Sequence, residues 1–278
     1  MKTQIEKSVL TKNKKHNQKQ NKMELNQETY NNESVIAEYD QIDFLFKAEN
    51  HILIKLRSYL RNSSVLDIGI GAGRTTKRLA NLCDKYVGID YSEKFVSHCK
   101  MKFSSIKNAS FNVADARSMQ QFDDNTFDFI LFSFNGIDSV DMEGRKLVME
   151  ECRRLLKNDG MFCFSFHNFY TIPKLYSLYV SKNPLKWNAS WYRYKMVNKL
   201  NPDRNSFSDK DYIILRDGAD NFKTDVMYTK PEFQLQMLKN YGFELVCFYD
   251  AERGVKIPVS QLGESKAQWI YALTKLKK

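Results

Sequence analysis

The chain has 278 residues, of which 42% are hydrophobic, so it is long enough to bury the core of a compact domain. No run approaches the ~18 apolar residues of a membrane span, and the first 24 residues are too polar for a secretory signal. Length and composition therefore exclude a membrane-spanning or secreted protein and predict a soluble protein of the cytoplasm. The five cysteines form no C-x-x-C pair and the four histidines are dispersed, so we expect reduced thiols and no metal site.

The formal net charge of +10 is concentrated at the two ends of the chain. Residues 1–24 carry seven lysines and two glutamates, and the last four residues include three lysines, so the two ends together hold +8. The body between them is nearly neutral, which argues against a broad phosphate-binding face. We therefore predict that residues 1–27 form a disordered basic tail, with binding of an anionic partner as the less favoured alternative.

After the tail, predicted helices and strands alternate. A helix places four apolar side chains on one face: Ile52, Leu53, Leu56 and Leu60. Buried strands follow at 65–68, 86–89, 110–114 and 127–134, and an amphipathic helix at 143–157 precedes a fifth strand at 161–166. Two further runs, 243–249 and 269–275, have strand composition. This alternation predicts a doubly wound α/β sheet with a ligand crevice at the carboxyl ends of its strands.

The most informative motif is the turn after the first strand, Asp67-Ile68-Gly69-Ile70-Gly71-Ala72-Gly73-Arg74. Glycines let the backbone turn tightly and approach a ligand, so the motif is typical of a nucleotide cradle. A dinucleotide fingerprint would need glycine at position 74, where this chain has arginine. The alternative is a purely structural connection between a strand and a helix.

Two acidic residues follow the next two strands. Asp90 ends the second predicted strand, 21 residues after Gly69, and a carboxylate there can accept hydrogen bonds from both hydroxyls of a ribose. The interval is that of one βαβ unit. Asp115 and Ala116 follow the third strand. The alternatives are a solvent-exposed helix cap for Asp90 and an ordinary loop acid for Asp115.

The D-x-G-x-G-x-G turn, followed by these acids, resembles the first motifs of class I S-adenosylmethionine-dependent methyltransferases. The resemblance covers roughly residues 30–275. It implies a seven-stranded Rossmann-like sheet whose last strand is antiparallel, with S-adenosyl-L-methionine as cofactor and S-adenosyl-L-homocysteine as product. Asp159 replaces the proline that the family more often has before the glycine that precedes the fifth strand.

The resemblance also implies a set of cofactor-binding residues. Asp67 and the glycines would hold the methionine part, Asp90 the ribose and Asp115 the adenine amino group. The full predicted set is Tyr39, Asp67, Gly69, Gly71, Gly73, Arg74, Asp90, Tyr91, Asp115, Ala116, Ser133 and Phe134. Tyr39 would belong to a lid helix over the cofactor, or would only pack that helix onto the core. The guanidinium of Arg74 would bind the cofactor carboxylate.

Residues after the fourth and fifth strands are candidates for catalysis. His167 follows the fifth strand, and an imidazole titrates in the range of a general base; the alternative is a structural histidine at the strand end. Asn135 follows the fourth strand without the two prolines and the tyrosine of an Asn-Pro-Pro-Tyr motif, which argues against amino-methylation of DNA or of protein glutamine. Asn135 and Asp138 would orient an acceptor hydroxyl, or would only bond their own loop.

About 60 residues separate the fifth strand from a helix near Pro231, far more than a usual connection, so we predict an inserted cap at residues 169–228. Its first half is aromatic and basic, and residues 211–215 and 224–228 predict a β-hairpin. Three interpretations of the cap stay open: stacking of RNA bases, binding of an anionic or sugar-containing small molecule, and packing of a helical subdomain. We predict that Tyr170 and Tyr228 contact the acceptor.

The sequence thus predicts a methyltransferase domain at residues 28–168 and 229–278, interrupted by the cap. We expect methyl transfer to an oxygen or nitrogen of a small hydroxylated or anionic acceptor, such as a sugar or a nucleotide-linked metabolite in polysaccharide or natural-product synthesis. Methylation of transfer RNA is the alternative within the enzymes. A non-catalytic protein with a cofactor-binding fold is the alternative outside them.

Overall fold

One mixed β-sheet organises residues 33–207 and 209–278, the part of the chain that this computed structural model describes. The predicted basic tail, residues 1–27, lies outside the described residues. Among the described residues, no helix is both long enough and apolar enough to cross a membrane.

The sheet has the order β3-β2-β1-β4-β5-β10-β8-β9, and a hairpin of β6 and β7 is attached to β5. Its strands are β1 (Ser64–Ile68), β2 (Lys85–Asp90), β3 (Ala109–Val113), β4 (Phe127–Phe132), β5 (Leu156–Asn168), β6 (Tyr212–Leu215), β7 (Val226–Thr229), β8 (Phe243–Asp250), β9 (Lys256–Ile257) and β10 (Trp269–Leu276). Strands β1 to β5 pair in parallel, whereas β10 runs antiparallel to both β5 and β8. The predicted fold class is therefore confirmed, but the predicted count of seven strands is wrong, since the hairpin and β9 extend the sheet to ten.

Helices cover both faces of this sheet. They are α1 (Glu33–Asp40), α2 (Lys47–Leu60), α3 (Thr76–Ala80), α4 (Glu93–Lys102), α5 (Met142–Leu155), α6 (Ile172–Leu175), α7 (Pro184–Leu200) and α8 (Pro231–Asn240). Side chains of α5 and α8 pack in one apolar layer, and side chains of α2, α3 and α4 pack in the other. In β4, Ile130 and Phe132 face the first layer while Phe129 and Leu131 face the second. Burial on both faces explains why the central strands are continuously apolar.

The turn between α5 and β5 differs from the prediction. Helix α5 ends at Leu155 and β5 begins directly at Leu156, so Asn158-Asp159-Gly160 lies within the strand rather than before it. The register jumps between Leu156 and Met161, opposite Phe127 and Phe129, so these residues form a bulge. Asp159 has a φ of +62°, as expected for the extra residue of a bulge.

The inserted segment has its own apolar cluster, which includes Phe169, Ile172, Val197, Leu215 and Tyr228. The predicted hairpin is confirmed as β6 and β7, which pair in antiparallel fashion. Strand β7 also pairs in parallel with the end of β5, which sets Tyr228 opposite His167. The cap is thus joined to the sheet at the carboxyl end of β5, where the crevice was predicted.

Candidate active site

A cavity of about 690 Å³ lies at the carboxyl ends of β4 and β5, between the sheet and the cap. This volume is in the range of small-molecule sites. The sheet side and α1 contribute Tyr39, Phe134, Asn135, Ser139, His167, Gln268 and Trp269. The cap contributes Thr171, Lys174, Leu175, Arg193, Asp217, Ala219, Thr224, Val226 and Tyr228. Of the predicted site residues, the cavity therefore brings together Tyr39, Phe134, Asn135, His167 and Tyr228.

The glycine turn lies beside this cavity and is held by the end of β2. Gly69, Gly71 and Gly73 have φ angles of +66°, +51° and +81°, a region that favours glycine. A Cβ atom on Gly71 would lie 3.4 Å from the ring of Tyr39, so the turn and α1 are in close contact. The amide of Gly71 donates to Asp90 Oδ2 over 3.0 Å. The turn and the predicted ribose acid are thus adjacent.

The carboxyl ends of β2 and β3, where Asp90 and Asp115 are found, lie side by side. The backbone amide of Ala114 donates to the backbone carbonyl of Asp90 over 3.0 Å. Burial raises the pKa of Asp90, although its carboxylate also accepts from the Ser92 amide over 2.9 Å. Burial also raises the pKa of Asp115, but hydrogen bonds from Arg117 outweigh it, and the net shift is downward. Tyr91 and Ala116, the neighbours of these two acids, are half-buried.

Asp67 is buried behind the glycine turn rather than in the cavity lining. Its Oδ2 accepts from the hydroxyls of Thr75, over 2.5 Å, and Tyr86, over 2.9 Å. Burial raises the pKa of the carboxyl to about 6. Asp67 therefore stabilises the chain just after the glycine turn through Thr75. Its contact with the methionine part of a cofactor stays a prediction.

Arg74 is held by a buried partner that the sequence interpretation missed. Its two terminal nitrogens contact the Glu49 carboxylate at 2.5 and 2.7 Å, and one of them also donates to Ser133 Oγ over 3.1 Å. Glu49 accepts further from the Tyr271 hydroxyl over 2.7 Å. The guanidinium lies 4.9 Å from the ring centre of Phe134. Glu49 precedes Ile52 and Leu53 by one helical turn and so shares the apolar face of α2. That position was the sequence signal for a buried acid.

His167 is oriented by Asp138. Oxygen Oδ2 of Asp138 accepts from the backbone N–H of His167 over 2.7 Å and lies 2.8 Å from its Nδ1. The other oxygen, Oδ1, is paired with the fully buried guanidinium of Arg145. Both oxygens are thus engaged inside the protein and Asp138 is absent from the cavity lining, so the structure does not support its predicted contact with the acceptor. Arg145 was missed, although an arginine on the apolar face of α5 with Val148 was a visible signal.

The opposite nitrogen of His167, Nε2, is on the cavity side. It lies 3.4 Å from Nδ2 of Asn135 and 4.0 Å from Oδ2 of Asp217. The backbone N–H of Asn135 donates to Ser165 Oγ over 2.7 Å, which fixes the position of this residue. Within the described residues, Oδ1 of Asn135 is buried without a hydrogen-bond partner. An unsatisfied buried acceptor at a cavity wall is a point where a ligand donor can bind.

The two predicted acceptor tyrosines have different positions. Tyr228 packs its ring 4.8 Å from that of His167 and donates its hydroxyl to Asp217 over 2.8 Å. Tyr170 instead donates to Glu232 over 3.1 Å and is absent from the cavity lining, so the structure does not support its predicted role. Asp217 was missed because in the sequence it was only part of the hairpin loop.

The comparisons with known proteins agree with this architecture. Residues 65–160 match the family described as "Methyltransferase domain". YqeM of Bacillus subtilis, which carries the name of a methyltransferase, is 26% identical over 187 residues, or 65% of this chain and 73% of that protein. The ubiquinone/menaquinone biosynthesis C-methyltransferase UbiE of Wigglesworthia glossinidia brevipalpis is 25% identical over 60% of this chain and 76% of its own length. The crystal structure of an S-adenosylmethionine-dependent methyltransferase from Clostridium acetobutylicum shares the fold, with a TM-score of 0.58 and 18% identity over 84% of this chain and 92% of that one.

Asp67 gives a testable pH dependence of stability. Its pKa in the folded protein, about 6, is above the ordinary value of 3.8, so folding favours the protonated form. The native state is therefore favoured at low pH and loses this contribution as the pH rises through 6. Asp67→Asn mimics the protonated form. We expect its free energy of unfolding, relative to wild type, to increase by about 2 kcal/mol between about pH 4 and about pH 7.5, measured by chemical denaturation.

The matched control is Asp84→Asn, which changes an exposed acid at the start of β2. Its stability relative to wild type should stay constant over the same pH range. A constant difference for Asp67→Asn as well would contradict the raised pKa.

Proposed function

We propose that the chain is a class I S-adenosylmethionine-dependent methyltransferase that methylates an oxygen or nitrogen of a small acceptor held in the cavity between sheet and cap. The observation that carries the proposal is His167, bonded to Asp138 through Nδ1 and directed at the cavity through Nε2. Such a pair is suited to accept a proton from an acceptor group during methyl transfer. A cytoplasmic location stays a prediction.

The residues of the crevice fit the cofactor. S-adenosylmethionine, when bound, supplies a methyl group on a sulfonium. The left-handed glycine turn leaves backbone rather than side chains at the crevice. We assign the methionine part to Gly69, Gly71 and Gly73, and the ribose hydroxyls to Asp90. Tyr39, Arg74, Ser133 and Phe134 would close the methionine side, and Tyr91, Asp115 and Ala116 would hold the adenine.

The proton state of His167 follows from its neighbours. Oδ1 of Asp138 accepts from the guanidinium of Arg145, and a carboxylate can only accept hydrogen bonds. Nδ1 of His167 must therefore carry the proton, and the lone pair of Nε2 accepts from Nδ2 of Asn135 at the cavity wall. A proton taken up at Nε2 would create an imidazolium between Asp138 and Asp217, and both carboxylates would stabilise it.

The cavity lining favours a hydroxylated or anionic acceptor. Oδ1 of Asn135 and the carboxylate of Asp217 can accept hydrogen bonds from a hydroxyl or an amine. The cations of Lys174 and Arg193 line the cap side and suit a carboxylate or phosphate. The ring of Tyr228 offers an apolar surface to a sugar or another ring. A sugar or a nucleotide-linked metabolite combines these features.

Replacement of Asp90 tests the cofactor site. Asp90→Ala removes the acceptor of the predicted ribose hydrogen bonds, so we expect S-adenosylhomocysteine affinity to fall about 100-fold, measured by isothermal titration calorimetry. The control Asp84→Ala changes an exposed acid directly before the same strand and should bind like wild type. Unchanged affinity of Asp90→Ala would contradict the assignment.

Replacement of His167 tests the proposed base. His167→Ala should lower kcat by about 10²–10⁴-fold with S-adenosylhomocysteine affinity retained, because only proton transfer is lost. The measurement is S-adenosylhomocysteine formation with the acceptor that wild type uses from a panel of sugars, sugar nucleotides and bulk transfer RNA. His51→Gln, whose imidazole contacts the Gly254 carbonyl, is the matched control and should keep its kcat.

Asp138→Asn tests the positioning of that base. Asparagine can present an N–H to Nδ1 and thereby reverse the tautomer, so kcat should fall while KM changes little, and the pH profile of kcat should shift. Circular dichroism checks that the variant folds, since Arg145 loses its charged partner.

Equal turnover of His167→Ala and wild type would remove His167 as the base.

A further inference from the structure

The cap exposes an unusual number of apolar side chains. Of the fifteen large hydrophobic residues that are exposed in the described part of the chain, six fall within residues 178–192. They are Leu178, Tyr179, Val180, Leu185, Trp191 and Tyr192, each between 38 and 78% exposed. Isolated exposed apolar residues are normal on a protein surface, but a concentration of this kind marks an interaction site.

The same region is strongly basic. Residues 160–202 contain six cations, Lys174, Lys182, Lys186, Arg193, Lys195 and Lys199, and no aspartate or glutamate. The rest of the chain between the two ends carries a net charge of −4. A local positive field of this kind attracts an anionic partner.

Helix α7 presents both properties on one face. Leu185, Tyr192 and Lys199 are spaced by seven residues and are exposed, so they lie on one side of the helix. Ser190 and Val197, spaced likewise, are buried on the other side. Trp191 and Lys195 extend the exposed side of the helix, where Lys195 Nζ lies 4.2 Å above the ring centre of Trp191. We call residues 178–199 the apolar-basic surface.

The segment that precedes α7 adds to this surface. The amide of Tyr179 donates to Ser190 Oγ over 2.9 Å, which holds the exposed residues 178–180 beside the helix. Arg193 donates to the carbonyls of Leu175 and Ser177 over 3.3 Å. These bonds fix the apolar-basic surface to α6, whose Leu175 lines the cavity.

We propose that the apolar-basic surface binds an anionic lipid bilayer. Tryptophan and tyrosine are favoured at the boundary between lipid headgroups and acyl chains, and lysines beside them attract anionic headgroups. The exposed aliphatic residues Leu178, Val180 and Leu185 distinguish a bilayer from a nucleic acid. Aliphatic side chains gain free energy by entering acyl chains, whereas bases stack on aromatic rings.

Lipid binding would bring the cavity close to the headgroups. Arg193 lines the cavity and follows the exposed Trp191 and Tyr192 directly in α7. The ring of Tyr192 also lies 6.2 Å from that of Phe222, at the end of a turn that begins with the cavity residue Ala219. The interaction is independent of the methyl-transfer proposal, because it needs none of the residues assigned to cofactor or proton transfer.

Cosedimentation of the full chain with vesicles tests the proposal. Wild type should bind vesicles of phosphatidylcholine mixed with phosphatidylglycerol, bind pure phosphatidylcholine far more weakly, and lose affinity with added salt. The triple variant Val180→Ser, Leu185→Ser, Trp191→Ala should weaken binding at least about tenfold, because three apolar side chains no longer enter the bilayer. Lys182→Gln with Lys186→Gln should have a similar effect.

Matched controls change equally exposed residues elsewhere. Ile54→Ser with Val259→Ser, and Lys239→Gln, should bind vesicles like wild type. All variants keep the basic ends of the chain and should keep wild-type affinity for S-adenosylhomocysteine, which separates this test from the cofactor test. Tryptophan emission should shift to the blue on anionic vesicles, and Trp191→Phe should remove most of that shift.

Several outcomes would overturn the proposal. It fails if wild type does not bind anionic vesicles, or if the apolar triple variant binds them as well as wild type. It also fails if bulk transfer RNA binds more tightly than vesicles and only Trp191→Ala reduces that binding. In that case the apolar-basic surface is a nucleic-acid interface.

Discussion

The buried carboxylate of Asp138 is the point on which the position of His167 at the cavity depends. It joins the guanidinium of Arg145 to His167, and Arg145 in turn donates to Thr229 over 3.2 Å and to Gln234 over 3.0 Å. One carboxylate thus connects the loop after β4, the start of α5, the end of β5, the end of β7 and helix α8. Since a buried charge left without its partner destabilises a protein by about 3–5 kcal/mol, these elements are constrained to one arrangement.

A second buried pair has the same role beside the glycine turn. Glu49 of α2 holds Arg74 of the glycine turn and accepts from Tyr271 of β10, so a helix, a turn and a strand meet at one carboxylate. Helix α1 lies just before α2, and its Tyr39 packs against Gly71. Arg74 packs against the cavity residue Phe134, and Asp138 contacts the cavity residue His167. Each ion pair is buried among apolar side chains. Such a pair fixes the relative positions of the elements that it joins, rather than adding apolar burial.

Sequence pattern predicted the structure correctly where the signal was local. The apolar runs predicted β1 to β5 because a strand buried on both faces needs a continuous run, and the spacing of Gly69, Asp90 and Asp115 predicted that these residues follow successive strands. It failed where a side chain finds its partner through the fold. Asp138 faces inward because Arg145 enters the core beside it, and Tyr170 turns away because Glu232 of α8 is its partner.

The sequence by itself determined the α/β class, the glycine turn with its acids, the helix faces and the hairpin. Each of these depends on residues within one or two elements, where periodicity and turn chemistry decide the structure. Only the tertiary structure decided that β7 pairs with β5, which brings Tyr228 and Asp217 to His167 from about 50–60 residues away in the chain. The pairing of two strand edges and the partner of a buried charge depend on which segments the whole fold brings together, and no local pattern records that.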